Sequence, residues 1–265
     1  MKLRILTPTR GGSPHWLTAA ASIAAIAPEA EHVVICPDPT SIAAPAHPGG
    51  RTILRDEGHG LYAALNLGLR IPGDWEAFTW LNDDDVLADG FRAAWQRLQA
   101  ASDWGAVYGH VGLIDASGAG IGALPIATEP ADLIALLRRG IMPLAQPGTI
   151  IRRRLVEQIG ELDESYRLAG DLDFFVRALE AGVRFGHCPE RVADFRLRAG
   201  QLSQQEELGE QEFARAVGRL RAQTATGGLA ALLRFRWANR RVYWERWRRH
   251  GAVSMRSLYR GAGST

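Results

Sequence analysis

Several features that define whole classes of protein are scarce in this sequence of 265 residues. Its two cysteines, Cys36 and Cys188, lie far apart, so we expect neither a disulfide framework nor a thiolate metal site, and we expect a reducing, cytoplasmic compartment. The longest apolar stretch near the start, residues 17–27, is too short to cross a bilayer, and no signal peptide is evident. The net charge is only +2, so the chain as a whole is not a polyelectrolyte.

Two glycine-rich loops that many nucleotide-binding enzymes need are also missing. The segment after the first apolar run, residues 7–12, contains neither the GxGxxG pattern nor the GxxxxGK[ST] pattern. Their absence argues against an NAD-dependent enzyme and against a P-loop NTPase.

The first half of the chain alternates between short apolar runs and helical patterns. This alternation predicts an α/β fold with a Rossmann-like, mostly parallel sheet flanked by helices. We predict strands over residues 3–6, 32–36, 51–55, 77–81 and 105–111, and helices over 14–27, 61–69 and 90–101. Ligands bind outside the carboxyl ends of such strands. Thr7, Asp38, Glu57 and residues 83–85 all follow predicted strand ends, so we expect them to converge along one edge.

Three consecutive carboxylates, Asp83, Asp84 and Asp85, follow the fourth predicted strand. Like charges so close raise one another's pKa, and a divalent cation between them removes that cost. Mg²⁺ and Mn²⁺ prefer carboxylate oxygens, and Mg²⁺ often completes its shell with substrate phosphate and water. The cluster therefore indicates a metal that holds a phosphorylated substrate. An Asp-rich surface turn is the alternative interpretation.

Six sequence blocks follow one another between residues 2 and 203. They read LTPTR at 6–10, EGHGLYAALNLG at 57–68, LNDDD at 81–85, IGELDESY at 159–166, AGDLDFFVR at 169–177 and FRLRAGQLS at 195–203. In this order the blocks resemble those of the family 2 glycosyltransferases, which have the GT-A fold. Ala63 and His59 depart from the family pattern, where Asp and a basic residue are usual.

The resemblance implies an inverting sugar transfer from a nucleoside-diphosphate sugar, assisted by Mg²⁺ or Mn²⁺. For the metal it implies Asp85 first and Asp83 second, with Asp84 facing the sugar or ribose. Asp38 corresponds to a residue that contacts the base, and the donor is expected to carry UDP, with GDP and dTDP as alternatives. The expected nucleotide-sugar contacts are Thr7, Pro8, Thr9, Arg10, Asp38, Glu57, Gly60, Tyr62, Asn66, Asn82 and Asp84.

The acceptor side of the predicted site centres on Asp171, which the resemblance makes the general base. The attacking hydroxyl is a poor nucleophile at neutral pH and needs a carboxylate to take its proton. Asp171 also precedes an apolar helical run, so a helix N-cap is the alternative role. Asp173 is the second choice for the base, or else it pairs with Arg177 four residues later.

Further residues are assigned by position. Gln146, Gly170, Asp173 and Arg177 are expected near the donor sugar or acceptor, and Gln146 is equally plausible as a structural amide. His187 could add a metal ligand, although a lone histidine is more often structural.

The segment from residue 229 to 260 carries nine arginines, one acidic residue and six aromatics. Such a helical segment suits packing on its own domain, an oligomer interface, or peripheral contact with an anionic membrane. Nucleic acid is not expected, because no fold signature supports it.

We therefore predict a catalytic domain over residues 1–203 and a helical, basic extension over 204–265. Within the catalytic domain, about 1–115 would bind the nucleotide sugar and about 116–203 would supply the acceptor side and the base. The predicted acceptor is a saccharide or a lipid-linked saccharide. A nucleotidyltransferase of similar fold is one alternative, and a degenerate protein that binds nucleotide or scaffolds an assembly is another.

Overall fold

The computed structural model describes residues 1–43, 46–198, 201, 205–222 and 228–251. These residues contain a mixed sheet with the strand order β3-β2-β1-β4-β8-β6-β9-β5, and β7 pairs with β6. The strands are β1 Leu3–Pro8, β2 Glu31–Cys36, β3 Arg51–Arg55, β4 Ala77–Trp80, β5 Val86–Leu87, β6 Trp104–Ile114, β7 Gly120–Ala123, β8 Ile150–Arg152 and β9 Arg184–Arg196.

The first four strands pair in parallel, as the alternating pattern predicts. β1 lies between β2 and β4, and β2 pairs with β3. The apolar runs of β1, β2 and β4 are buried on both faces because helices cover the sheet, whereas β3, at the edge, is only partly buried. The strands that follow add antiparallel pairs, β4 with β8, β8 with β6, β6 with β7 and β5 with β9, whereas β6 and β9 run parallel. The predicted α/β fold is confirmed, and its antiparallel half is a finding of the structure.

Nine α-helices occur in the described part of the chain. They are α1 Trp16–Ile26, α2 Leu61–Arg70, α3 Gly90–Ala100, α4 Leu133–Leu137, α5 Arg153–Ile159, α6 Gly170–Glu180, α7 Glu206–Gly218, α8 Gly228–Ala238 and α9 Arg240–His250. Gly60 precedes α2 with a φ of 113°, a conformation that favours glycine, so the chain turns sharply from the loop after β3 into the helix.

The last three helices pack on the sheet-containing part of the molecule. Phe235 of α8 lies in the main core, and Arg234 forms an ion pair with Asp132. The Asn239 amide group donates to the Ile126 carbonyl at 2.9 Å and accepts from the Ile126 N–H at 3.0 Å. The helices α8 and α9 are therefore held by specific buried contacts. The predicted division at residue 203 lies outside the described residues and stays a prediction. Among the described helices, none is both long and apolar enough to span a membrane.

Candidate active site

The carboxyl ends of β1 to β4 lie side by side at one edge of the sheet. The Thr9 N–H, after β1, donates to the Ile35 carbonyl at the end of β2, and the Asp56 N–H, after β3, donates to the Cys36 carbonyl. The Leu81 N–H, after β4, donates to the Leu6 carbonyl. Because the four strands end together, the loops that carry the predicted nucleotide contacts adjoin one another.

The three aspartates of the acidic cluster have different environments at this edge. Asp83 is half-buried and accepts a hydrogen bond from the Thr9 hydroxyl through one oxygen. Asp84 is buried, and its Oδ2 pairs with the Arg198 guanidinium at 2.8 Å. Asp85 is fully buried, and both its oxygens accept, Oδ1 from the Arg196 N–H at 3.0 Å and Oδ2 from the Asn82 amide at 3.3 Å.

Burial is the main reason that ionisation is unfavourable for the carboxyl groups of this cluster. It raises the pKa of Asp83, and it raises the pKa of Asp85 well above its usual range, where the neighbouring Asp84 charge adds to the effect. A cation would make their ionisation more favourable, and carboxylate oxygens are the ligands that Mg²⁺ and Mn²⁺ prefer. One oxygen each of Asp83 and Asp84 accepts no hydrogen bond from the described residues, so these two carboxylates fit a divalent cation. The described residues contain no group of three or more His, Cys, Asp or Glu side chains arranged around a common metal position.

The end of β9 and the segment after it form hydrogen bonds with the acidic cluster. Arg196 donates from Nε to the Asp84 carbonyl at 2.8 Å and from Nη1 to the Asp115 carbonyl at 2.9 Å. Gln201 donates to Asp84 Oδ2 at 3.3 Å. The residues of this block at 199, 200, 202 and 203 lie outside the described part. We assigned no site role to Arg196, Arg198 or Gln201 from the sequence, although the FRLRAGQLS block was the signal that could have found them.

His15 is a second residue that the sequence analysis missed. It is half-buried, and its backbone N–H donates to the Ser13 hydroxyl, which in turn donates to the Asp83 carbonyl at 3.4 Å. Burial, followed by the nearby Arg196 guanidinium, lowers the pKa of His15. At neutral pH a neutral imidazole therefore borders the acidic cluster.

An open cleft of about 530 Å³ lies beside the ends of β2 and β3. Asp38 is exposed near this edge, and the Thr40 hydroxyl and N–H that it accepts from lower its pKa. Arg10 is exposed as well, and His59 contacts Glu57 at 3.3 Å. The cleft is lined by Pro37, Arg55, Asp56, Glu57 and Gly58. Of the predicted contacts, Glu57 lines this cleft, and Asp38 and Gly60 lie one and two residues from its lining residues in the sequence. Their contacts with a nucleotide stay predictions.

Asp171 lies in the first turn of α6, half-buried. Ala169 is the cap residue, so the N-cap alternative for Asp171 does not describe the structure. Burial raises the pKa of Asp171 to about 6, although the Leu172 N–H at 2.8 Å opposes the rise. A carboxylate with that pKa is ionised at neutral pH and basic enough to accept a proton.

Tyr62 fixes the start of α6 relative to α2. Its hydroxyl donates to the Leu168 carbonyl at 2.7 Å, and only 2% of its surface is exposed. A Cβ on Gly170 would lie 2.6 Å from the Tyr62 ring, so glycine is needed where the two helices meet. Tyr62 and Gly170 therefore contact each other and hold Asp171 near the loop that follows β3.

Glu212 of α7 is the other support of this turn. Its buried carboxylate accepts three backbone N–H bonds, from Arg167 at 2.9 Å, Leu168 at 2.8 Å and Ala169 at 2.9 Å. These donors are the residues directly before α6, so Glu212 holds the turn that leads into the helix that carries Asp171. Nothing in the sequence pattern marks this long-range contact.

The side chains of four predicted contacts form hydrogen bonds or ion pairs inside the protein. The Asn66 amide bonds Leu162 through both its N–H and its carbonyl, and Gln146 donates to the Trp80 carbonyl at 2.6 Å. Thr7 is buried and contacts His32 Nε2 at 3.0 Å, on the interior side of the strand. Asp173 is buried against Arg177 at 2.7 Å. Their predicted roles at the substrate stay predictions, and these geometries favour structural roles.

Arg177 forms hydrogen bonds with the turn before α6. Its two Nη atoms donate to the carbonyls of Ile159 and Glu161 at 2.6 and 2.7 Å. His187, which could have added a metal ligand, instead packs against His110, with ring centroids 5.2 Å apart. It lies nine residues before Arg196 on β9, which places it far along the strand from the acidic cluster.

No protein-family model matches the chain, and no curated protein matches it. Among solved structures, the chain is similar to TarS residues 1–349 from S. aureus in complex with UDP-GlcNAc, with a TM-score of 0.60 and 14% identity over 99% of this chain and 79% of that one. It is also similar to the mannosyltransferase PcManGT from Pyrobaculum calidifontis in complex with GDP-Man and Mn²⁺, with a TM-score of 0.59 and 17% identity over 100% of this chain and 76% of that one.

The longer TarS structure matches with a TM-score of 0.58 and 14% identity over 96% of this chain, which spans 44% of it. Identities this low show the fold alone. The predicted GT-A glycosyltransferase fold is therefore confirmed.

Proposed function

We propose that the protein transfers a sugar from a nucleoside-diphosphate sugar to a hydroxyl acceptor, with inversion at the anomeric carbon and with Mg²⁺ or Mn²⁺ bound. The observation that carries this proposal is the pairing of two features on a GT-A fold. One is the acidic cluster at the ends of β1 and β4, and the other is Asp171, whose pKa of about 6 suits a general base.

Asp83 and Asp84 are the residues that we propose would hold the metal. The bound cation would offset the negative charge that develops on the departing diphosphate. Asp85 has both oxygens engaged and braces the loop through the Arg196 N–H, so we place it behind the two others. The family resemblance instead implies Asp85 first and Asp83 second. The two orders differ because the resemblance carries no information on which carboxylate oxygens accept hydrogen bonds.

Asp171 is the residue that we propose takes the proton of the attacking hydroxyl. Its carboxylate is ionised at neutral pH, and it is held in place by Tyr62, Gly170 and Glu212 through the backbone that surrounds it. A single base suffices for inversion, since one displacement at the anomeric carbon needs no covalent intermediate.

The cleft at the ends of β2 and β3 is our proposed position for the base and ribose of the donor. UDP is the first choice, with GDP and dTDP after it, because the TarS structure holds UDP-GlcNAc and the PcManGT structure holds GDP-Man. The proposed acceptor is a saccharide or a lipid-linked saccharide, and the proposed compartment is the cytoplasm or the inner face of its membrane.

Thermal stabilisation against UDP, GDP, dTDP, CDP and ATP, each with Mn²⁺ or with EDTA, tests the proposal. A ligand at 100 times its Kd adds about 2.7 kcal/mol to the free energy of unfolding, which is an easily measured shift in melting temperature. We expect a shift with one nucleoside diphosphate that disappears with EDTA. A shift only with ATP, the one triphosphate in the panel, would favour the nucleotidyltransferase alternative, and no shift with any nucleotide would refute the proposal.

A further inference from the structure

Large apolar side chains that face solvent are concentrated on α8 and α9. Of the seven that are exposed in the described part of the chain, five lie on these two helices. They are Leu229, Leu233, Trp237, Trp244 and Trp247, and between 56% and 70% of each side chain is accessible. Exposed tryptophans carry a large apolar area, so this concentration marks a surface that contacts something else.

On α8 the exposed residues form a stripe. Leu229, Leu233 and Trp237 follow one another at intervals of four, which places them on one face of a helix. The opposite face carries the buried Ala231 and Phe235, which pack on the core. The stripe is therefore directed away from the rest of the protein.

Arginine joins this stripe to α9. The Arg240 guanidinium lies over the Trp237 ring at 4.4 Å, and Arg240 begins the face that continues to Trp244 four residues later. Arg248 lies over the Trp244 ring at 5.1 Å. We call the five exposed apolar residues, together with Arg236, Arg240, Arg241 and Arg248, the Arg/Trp surface.

The charge of this surface is strongly positive. Residues 228–250 contain seven arginines and one acidic residue, Glu245. Arg236, Arg240, Arg241 and Arg248 are all exposed, and none forms an ion pair with another described residue. Mixed indole and guanidinium groups on a helix face are complementary to an anionic lipid headgroup layer, where Trp enters the interface and Arg meets the phosphates.

We propose that the Arg/Trp surface docks the protein on an anionic lipid bilayer. Charge and apolar area together identify the occupant. A zwitterionic or neutral surface has no net negative charge to attract the arginines, and a purely electrostatic partner such as nucleic acid would leave the leucine stripe in water. This docking does not depend on the proposed sugar transfer, but it would bring the site to a lipid-linked acceptor.

Sedimentation of the full-length protein with vesicles tests the docking. We expect binding to vesicles of equal parts phosphatidylglycerol and phosphatidylcholine, little binding to phosphatidylcholine alone, and weaker binding as salt rises. Trp237→Ser with Trp244→Ser should weaken binding at least tenfold. Arg236→Gln with Arg241→Gln should weaken it by about fivefold for each arginine removed.

Leu17→Ser is the matched control, because Leu17 is 57% exposed on α1, outside the Arg/Trp surface. The variants should keep the melting temperature of the wild type, since every changed side chain faces solvent. The proposal is wrong if the intact protein does not sediment with anionic vesicles, or if Leu17→Ser weakens binding as much as the tryptophan variant. It is equally wrong if the surface variants instead abolish a dimer in solution and leave vesicle binding unchanged.

Discussion

Asp171 shows how its surroundings set the chemistry of one side chain. Burial raises its pKa to about 6, and the neighbouring backbone N–H of Leu172 limits the rise. As a base, Asp171 acts only when ionised. We therefore predict that kcat is level above about pH 6 and falls about tenfold per pH unit below it.

A pH profile of turnover, measured with saturating donor, checks this prediction. Asp171→Asn should lower kcat by about 10²- to 10⁴-fold and should leave nucleotide binding unchanged. A profile with no acidic limb near pH 6, or a variant that keeps its turnover, would show that another group takes the proton.

The acidic cluster gives a second prediction for single residues. Asp83→Asn and Asp84→Asn should abolish the Mn²⁺-dependent part of the nucleotide-induced thermal shift, because each removes a carboxylate with a free oxygen. Asp85→Asn should retain most of that shift, since an amide oxygen still accepts the Arg196 N–H. The thermal shift of the three variants with and without EDTA decides the order, and loss of the shift only in Asp85→Asn would reverse it.

For single residues, the sequence identifies candidate residue types better than it identifies which way their side chains point. Asp171 and the acidic cluster belong to blocks whose order implies their role. Asn66 also belongs to such a block, and Gln146 is assigned by position, but their amides bond Leu162 and Trp80 inside the protein. An amide suits a nucleotide and a buried turn equally, so only the packing of α2 and the loop before β8 separates the two roles.

Helix α7 is the element whose influence on the site is least visible in the sequence. Glu212 holds the turn before α6 with three hydrogen bonds. Burial is the main cause of the raised pKa of Asp171, and the Glu212 charge adds to it. We predict that Glu212→Gln lowers kcat with little change in donor affinity. It should also move the acidic limb of the pH profile to lower pH, because the repelling charge is gone.

The melting temperature of the same variant should be measured alongside its pH profile. Bonds to a charged acceptor contribute about 2 kcal/mol, so Glu212→Gln should lower the melting temperature by several degrees. Glu207→Gln, on an exposed position of the same helix, is the control and should match the wild type. If Glu212→Gln lowers stability but leaves the pH profile in place, α7 has only a structural role.

The elements with strong periodicity were predicted well. The strands β1 to β4 and the helices α1 to α3 lie within about two residues of the predicted bounds. The short strands β5, β7 and β8 have two to four residues, too few to show an alternation. β9 extends over 13 residues to Arg196 because β6 pairs along its length, a contact that no local pattern reveals.

At the scale of the whole molecule, buried contacts join the helices α8 and α9 to the part of the protein that contains the sheet. Phe235 lies in the main core, and Asn239 satisfies both backbone groups of Ile126. We predict a single unfolding transition by calorimetry. Asn239→Ala should lower the free energy of unfolding by about 2 kcal/mol and shift that one transition, since it leaves buried groups unpaired.

Arg241→Gln, at an exposed neighbouring position, should leave the transition where it is. Two separate transitions, with only the smaller one sensitive to Asn239→Ala, would mean that α8 and α9 form an independent unit. The composition of this segment predicted helices and several possible partners. Packing on its own domain was one of the roles that this composition suits, and the structure shows such packing for Phe235 and Asn239. The composition could not identify the partner, because Asn239 and Ile126 are 113 residues apart.

The stereochemistry of donor hydrolysis tests the central claim most directly. The donor is the α-linked sugar nucleotide whose nucleotide stabilises the fold. Its hydrolysis by the wild-type protein with Mn²⁺, with water as the acceptor, would be followed by proton NMR. Inverting transfer predicts that the β-anomer of the free sugar appears first, and that Asp171→Asn releases it at least a hundredfold more slowly. Release of the α-anomer first, or equal release by the variant, would contradict the account.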